Sequence, residues 1–339
     1  MESLVEMETN QHFSKNEFWN GRTVFITGGT GFVGSWLTAE LLKLSAELVI
    51  LVRDTNPQSQ LIRLGYINQS NVINGSLEDF TTLERAINEY EVDTVFHIAA
   101  QPIVGIAERY PLHTFESNIR GSYNLLEACR IHSDFVKRII IASSDKAYGE
   151  QSVLPYTEDM PLTGRYPYEV SKSCTDLIAQ SYSITYDLPI GIARCGNIYG
   201  GGDLNWSRII PGTIRSLLRS QTPVIRSDGK YKRDYVYIRD ICRAFIHLAE
   251  SLERPEIRGQ AFNFSPESEK SVLEVVKHIQ VLMGCENIEP IILSNAQGEI
   301  HSQYLSSSKA QRLLDWKPQY NLNQGLVETI EWYREFLAT

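Results

Sequence analysis

A doubly wound, parallel α/β sheet with a smaller, partly interleaved α/β second domain is the fold predicted for this 339-residue chain. Three observations carry it. Short β-branched runs alternate with amphipathic helical stretches from residue 22 to residue 194. The runs are apolar almost throughout, as strands buried on both faces are. The first run ends in a glycine-rich turn that opens a helix.

In chain order, residues 22–27 (RTVFIT) form the first strand, and residues 35–44 carry apolar side chains at helical spacing. Residues 47–52 (ELVILV) are a second strand and 71–74 a short third. A helix over 83–90 leads to a strand at 94–98 (TVFHI). A long amphipathic helix over 114–132 precedes a buried strand at 138–142 (RIIIA). A second long helix over 168–186 and a strand at 190–194 close the series. After that the rhythm changes. Residues 196–230 are rich in Gly and Asp, residues 235–250 read as a strand and helix returning to the sheet, and short Ser-, Asn- and Pro-rich elements follow. The expected division is a dinucleotide-binding domain over 18–195, rejoined by 231–256, and a ligand domain made of 196–230 and 257–339. No internal repeat or low-complexity segment is found.

Composition narrows the function. With 42% hydrophobic and 22% charged residues the chain is built to fold around a core, which excludes disorder. Lys and Arg total 32 against 41 Asp and Glu, a net charge of −9. Such a chain has no bulk attraction for nucleic acid or an anionic membrane. Its five cysteines are scattered, without a CxxC or Cys/His cluster, so neither a disulfide framework nor a metal site is expected. The polar N-terminal stretch contains no signal-peptide pattern, and no apolar run approaches a membrane span, so the expected location is the cytoplasm.

Thr27-Gly28-Gly29-Thr30-Gly31-Phe32-Val33-Gly34 follows the first strand and opens the first helix. Gly28, Gly31 and Gly34 have GxxGxxG spacing, which permits a tight turn and brings backbone N–H groups and a helix N-terminus to a pyrophosphate. Strand–turn–helix context distinguishes this from a flexible glycine loop and makes the fold Rossmann-type. At the end of the second strand an acidic residue suits the ribose of NAD and an arginine suits the 2′-phosphate of NADP. The chain offers both, as Arg53 and Asp54, so both cofactors stay open. Ser76 and Leu77 are placed to flank the adenine.

Tyr168 and Lys172 lie one helical turn apart on one face. An ammonium beside a phenol favours the phenolate, so the tyrosine pKa is expected below its usual value of about 10. That makes Tyr168 a candidate general base for an alcohol or sugar hydroxyl. Ser143-Ser144-Asp145-Lys146 follows another buried strand, where Ser144 can share the substrate proton with Tyr168. Asn118, on the intervening helix, is placed to position a water near Lys172. His97 ends a buried strand and is read as structural.

With these residues in view, the chain resembles the extended short-chain dehydrogenase/reductases of the nucleotide-sugar epimerase/dehydratase family. The glycine motif, His97-Ile98-Ala99-Ala100-Gln101, the Ser144/Tyr168/Lys172 set and the later Arg233-Asp234-Tyr235 turn occur in family order from about Phe18 to the C-terminus. The resemblance implies that Gly28, Thr30, Gly31, Phe32, Val33, Gly34, Ala99, Ala100, Gln101, Asn118, Tyr168 and Lys172 face a bound NAD or NADP regenerated at each turnover. It implies that Asn197, Arg208 and Arg233 hold the nucleotide diphosphate, as the planar donor fork of arginine suits. It also implies a homodimer through the helices at 114–132 and 168–186.

Within the family, Asp145-Lys146 matches the 4,6-dehydratases, and Phe18-Trp19, Gly196-Asn197-Ile198-Tyr199-Gly200-Gly201-Gly202-Asp203 and Arg208-Ile209-Ile210-Pro211 are similar to the CDP-glucose branch. Gly29, Val33, Ala147 and Gly149 depart from that branch. The implied reaction oxidises the sugar at C4, eliminates water across C5 and C6, and returns the hydride to C6. Lys146 is then the C5 base and Asp145 the acid for the 6-hydroxyl, an adjacent pair with opposed proton demands. GDP-mannose and UDP-N-acetylglucosamine are alternative substrates. Two rival readings remain: an epimerase on the same cofactor, for which Asp145 and Lys146 would be dispensable, and a non-enzymatic dinucleotide sensor.

Overall fold

The computed structural model describes residues 17–295 and 299–338. Its central sheet has seven parallel strands: β1 (Thr23–Thr27), β2 (Glu47–Val52), β3 (Asn71–Asn74), β4 (Thr94–His97), β5 (Arg138–Ala142), β6 (Ile190–Cys195) and β11 (Ala261–Phe264). Their order is β11-β6-β5-β4-β1-β2-β3, so the order in which strands are added reverses at the β1–β4 junction while the strands stay parallel. Register is fixed by burial: Ile26 stands between Ile50 and Phe96, and Val24, Phe25, Ile26, Val49, Ile50, Val95, Phe96, Ile139 and Ile140 are all fully buried. The strands are apolar on both faces because helices cover both. Those helices include α1 (Phe32–Lys43), α2 (Phe80–Glu89), α3 (Gly121–Ile131), α4 (Pro167–Tyr186) and α6 (Ile238–Ser251).

The described residues up to Ala142, together with Cys174–Ile192 and Phe245–Gln260, form one compact unit. Ser143–Ser173, Ala193–Ala244 and the described residues from Ala261 onward form the second. The expectation from sequence had placed residues 143–173 with the first. They cluster with the second because Tyr148 hydrogen-bonds Asn263 at 2.7 Å, Tyr156 pairs with Leu305, and Tyr148, Tyr156 and Leu305 share a satellite core.

The second unit contains short sheets. The strand β7 (Asn197–Tyr199) pairs with β10 (Tyr235–Tyr237), and β8 (Val224–Ile225) with β13 (Ile291–Ile292). The strand β9 (Lys232–Arg233) is flanked by β12 (Lys270–Ser271) and β14 (Ser302–Gln303). Its helices include α5 (Ile209–Leu218), α7 (Val272–Met283) and α8 (Leu322–Ala338). A capping box between Ser271 and Glu274 fixes the start of α7.

One expectation about the sheet is corrected here. The strand at 235–237 does not return to the central sheet; it pairs with β7. The strand that extends the central sheet is Ala261–Phe264, a run too short to show any period. Another difference concerns the helix expected over 114–132. It is three pieces, Pro111–Phe115, a π-helical turn Glu116–Arg120, and α3. The π turn places Asn118, whose carbonyl accepts from Thr175 Oγ1 at 2.8 Å as well as from Ser122 Oγ at 2.5 Å.

Candidate active site

In the first unit, the turn from β1 to α1 has the geometry of an anion cradle. Gly28 has φ +79°, and a Cβ there would lie 2.7 Å from the backbone nitrogen of Ala99. A Cβ at Gly34 would lie 2.1 Å from the Gly28 carbonyl oxygen. Side chains are therefore excluded where α1 meets the turn. Gly31 caps α1 without a side-chain hydrogen bond, and the first turn holds no acidic residue, which leaves its N–H groups for a phosphate. Thr30, Phe32 and Val33 are half-buried within this turn, and the Thr30 carbonyl accepts from Ser59 Oγ at 2.7 Å. These features fit the pyrophosphate of a dinucleotide.

Ala99, Ala100 and Gln101 follow β4 and are half-buried. Asn118 clamps that loop, accepting from Gln101 N at 2.7 Å and donating to Gln101 O at 3.2 Å. With both side-chain groups engaged, Asn118 acts here on the loop after β4. His97 is structural, as expected: Nδ1 pairs with Thr27 Oγ1 at 2.8 Å and Nε2 with Ser122 Oγ at 2.9 Å.

Arg53, Asp54 and Ser76 line a cavity of ≈ 690 Å³ with Glu78, Leu112, His113 and Glu116. Arg53 Nε donates to Asp54 at 2.6 Å. Burial acts to raise the Glu78 carboxyl, but hydrogen bonds from Ser76 and Ser117 hold it below the usual carboxylate range. Glu78 was not singled out in the sequence. Leu77 does not reach the cavity; it is buried and packs on Gly121, where a Cβ would come within 2.6 Å of it. Asn124 Nδ2 holds the Leu77 and Glu78 carbonyls at 3.1 Å each.

The second unit gathers Ser144, Asp145, Lys146, Tyr168, Lys172, Asn197, Arg208 and Arg233. The chain leaves β5 in extended form at Ser144 and turns through a 3-10 helix, Asp145–Tyr148. Ser144 Oγ caps that turn, accepting from Lys146 N at 3.2 Å and donating to Asp145 Oδ1 at 3.0 Å. Its side chain also hydrogen-bonds that of Tyr168. Asp145 is 4% exposed, and its Oδ2 has no hydrogen-bond partner. A buried carboxylate oxygen left unpaired is costly, which marks it as a group reserved for a ligand or a proton.

Lys146 is half-buried and donates to Gln303 Oε1. Burial pushes its amine below the ordinary lysine range; Asp145, Glu169 and Glu299 pull it up, and Arg233 pushes it further down. Glu169 in turn accepts from Arg165 N at 3.0 Å and Tyr166 N at 3.4 Å, fixing the start of α4 and hence Tyr168.

Tyr168 overturns one expectation. Its hydroxyl is pushed up to about 12, chiefly by burial and further by Asp145; Arg208 and Ser144 lower it only in part. Desolvation outweighs the attraction of neighbouring cations. The cation that acts most on the phenol is Arg208, not Lys172. Lys172 is 6% exposed, and its charge acts on the buried thiol of Cys195, whose pKa burial raises.

Arg208 leads into α5 and pairs with Asp203 at 2.9 Å. Asn197 Nδ2 donates to the Asp234 carbonyl at 3.4 Å. Arg233 is not a free fork: Nη1 donates to Lys232 O at 2.7 Å and His301 O at 3.1 Å, and Nη2 to Ile300 O. As it stands, Arg233 ties the segment before β14, and its charge is felt by Lys146.

Two residues of this cluster were missed. Gln303 is a lone amide in a polar stretch, and Asp234 was read only as part of a turn. Asp234 is fully buried; Oδ2 accepts from Ser265 Oγ and from Leu305 N at 3.0 Å, while Oδ1 has no partner. Burial pushes its carboxyl up to about 7. Among the described residues no group of three or more His, Cys, Asp or Glu is arranged to hold a metal ion, and no helix is long and apolar enough to cross a membrane.

Comparison with known proteins shows the family and the fold. The family model described as GDP-mannose 4,6 dehydratase matches residues 25–329. The CDP-glucose 4,6-dehydratase of Salmonella typhimurium is 31% identical, covering 94% of this chain and 92% of its own. A dTDP-glucose 4,6-dehydratase from Streptomyces venezuelae, solved with NAD bound, superposes with a TM-score of 0.84 at 27% identity, covering 92% of this chain and 97% of its own. The UDP-glucose 4-epimerase of Thermotoga maritima, solved with UDP-glucose, also gives 0.84 at 27% identity, covering 93% and 99%.

Proposed function

The chain belongs to the GDP-mannose 4,6-dehydratase family within the extended short-chain dehydrogenase/reductases, and from that premise we propose that it is a CDP-glucose 4,6-dehydratase using bound NAD. The observation that carries the reaction type is the Asp145–Lys146 pair beside Ser144. It offers a buried carboxyl oxygen without a partner and an amine whose charged form is disfavoured. Both are required for eliminating water, and neither is required for epimerisation. The 31% identity to a CDP-glucose enzyme supports the substrate.

NAD is favoured over NADP by charge. The cavity holding Arg53 is also lined by Asp54, Glu78 and Glu116, and Arg53 is already paired with Asp54. Three carboxylates disfavour a 2′-phosphate and suit free ribose hydroxyls. The N–H groups after Gly31, with Gly28 and Gly34 keeping the surface bare, would hold the pyrophosphate. When bound, a nicotinamide would supply a positive charge and the capacity to accept a hydride from C4 of the sugar and to give one to C6.

Tyr168 takes the proton of the 4-hydroxyl as the phenolate, a form that the positive charge of a bound nicotinamide would favour against burial, with Ser144 sharing the proton. The resulting 4-ketone acidifies C5–H. Lys146, as neutral amine, removes the C5 proton; its electron pair forms the C5–C6 double bond, and the C6–O bond breaks. Asp145 passes a proton through Oδ2, the oxygen without a partner, to the departing hydroxyl, which leaves as water. Once C6 is reduced, Lys146 gives its proton back to C5, and the product is a 4-keto-6-deoxy sugar nucleotide. Arg208 and Asn197 hold the nucleotide, with Arg233 setting charge nearby. The first unit carries the dinucleotide and the second the sugar nucleotide. The outer faces of α3 and α4 form a homodimer contact.

Incubation with CDP-glucose, GDP-mannose, UDP-glucose and UDP-N-acetylglucosamine tests this reading. Loss of one water from CDP-glucose without net cofactor consumption is the expected result. An unchanged mass with a new stereoisomer would replace the dehydratase by an epimerase.

A further inference from the structure

A neutral side chain from the far end of the sequence meets the acid–base pair. Gln303 lies in β14 and is fully buried. Its Nε2 donates to the Asp145 carbonyl at 2.8 Å, and its Oε1 accepts from Lys146 Nζ. The amide cannot be turned round. The Asp145 carbonyl can only accept and the Lys146 ammonium can only donate, so a flipped amide would break both bonds.

We propose that Gln303 is a positioning residue for the elimination step, holding the Lys146 amine against the backbone of Asp145 so that its free electron pair is directed at C5. This rests on the reading of Lys146 as the C5 base. The support behind Gln303 is rigid. Its strand pairs with β9 in register with Arg233, His301 O accepts from Lys232 N at 3.0 Å, and the Arg233 guanidinium grips the carbonyls of Ile300 and His301.

The chemistry requires an acceptor of this kind. An amine serving as a base must be held in both protonation states. An amide oxygen accepts one N–H from either the ammonium or the neutral amine, and in the neutral amine the lone pair is left pointing elsewhere. A carboxylate in its place would add a buried ion pair and hold the lysine charged. The titratable groups facing Lys146 are Asp145, Glu169 and Glu299, which when ionised favour the ammonium, and Arg233, which with burial opposes it. A neutral partner adds no charge to that balance, which holds the amine below the ordinary lysine range.

The test measures two quantities across pH in the full-length protein. One is the reactivity of Lys146 toward an amine-acylating reagent, read by peptide mass spectrometry without substrate. The other is solvent-deuterium incorporation at C5 during turnover of CDP-glucose. Gln303→Glu is expected to raise the midpoint of both profiles by about one pH unit or more. It should slow C5 exchange at neutral pH by about tenfold or more, with recovery at high pH. Gln303→Met, close in shape but unable to bond either group, is expected to lower C5 exchange about tenfold at every pH while KM is kept. If Gln303→Glu does not fold, the Met variant alone decides. Unchanged C5 exchange in either folded variant overturns the proposal while leaving Lys146 as the base. Wild-type exchange in Lys146→Met overturns the reading beneath it.

Discussion

Asp234 keeps a carboxyl oxygen buried without a partner, and its burial has a thermodynamic consequence. Its folded pKa of about 7 stands above the usual carboxylate value of about 3.9. Between those values the folded chain holds a proton that the unfolded chain has released. Stability therefore falls as pH rises from about 4 to about 7, and levels off above. Asp234→Asn keeps an acceptor for Ser265 and Leu305 and has nothing to titrate. Its melting temperature, relative to wild type, is expected to be higher at about pH 8 than at about pH 5. Parallel melting curves across that range would mean the carboxyl does not titrate there. Tyr168 is the second residue whose environment decides its role. Tyr168→Phe removes the group proposed to take the 4-hydroxyl proton and is expected to lower kcat by about 10²–10⁴-fold with KM little changed. Steady-state kinetics on CDP-glucose check this, and a loss under tenfold would move the proton transfer elsewhere.

At the level of elements, the turn from β1 to α1 works because two glycines let backbone approach backbone. Gly28→Ala places a Cβ against the Ala99 nitrogen and α-carbon at a positive φ. The backbone must yield at a cost of about 1–3 kcal/mol. Cofactor affinity, followed by titration of intrinsic fluorescence, is expected to fall tenfold or more together with the melting temperature. Gly105→Ala is the control, since a Cβ there has nothing within 4 Å. Equal effects of the two substitutions would deny the turn its role. The π turn at Glu116–Arg120 is the other element with a local purpose. It offers the Asn118 carbonyl to Thr175 while the Asn118 amide clamps the loop at Gln101.

For the whole molecule, the outward faces of α3 and α4 leave Tyr123, Ile131, Leu177 and Ile184 exposed, Ile184 at 81%. The helices are tied side by side by Tyr182 donating to Glu127 at 3.2 Å and by Arg130 over the Tyr186 ring. Apolar side chains grouped on one helix pair are what an interface between copies needs. Sedimentation at micromolar concentration is expected to show a dimer, and Ile184→Glu a monomer. A monomeric wild-type protein would remove the dimer from the account.

The sequence by itself determined the strand–turn–helix with its three glycines, the alternation of buried strands and helices, and the adjacency of Ser144, Asp145 and Lys146. Each of these is written within a few residues, where backbone geometry and apolar period act directly. Tertiary structure alone decided the rest. Ala261–Phe264, and not Tyr235–Tyr237, completes the central sheet, because pairing is chosen by what lies opposite and not by the run itself. Leu77 turned from the cavity into the core because Gly121 leaves room for it. The phenol of Tyr168 was raised where a helical neighbour suggested it would be lowered, because desolvation depends on the whole surround. Gln303 came to Lys146 from 157 residues away. A lone amide carries no periodic or compositional mark, and its effect exists only once two distant strands have brought it to the amine.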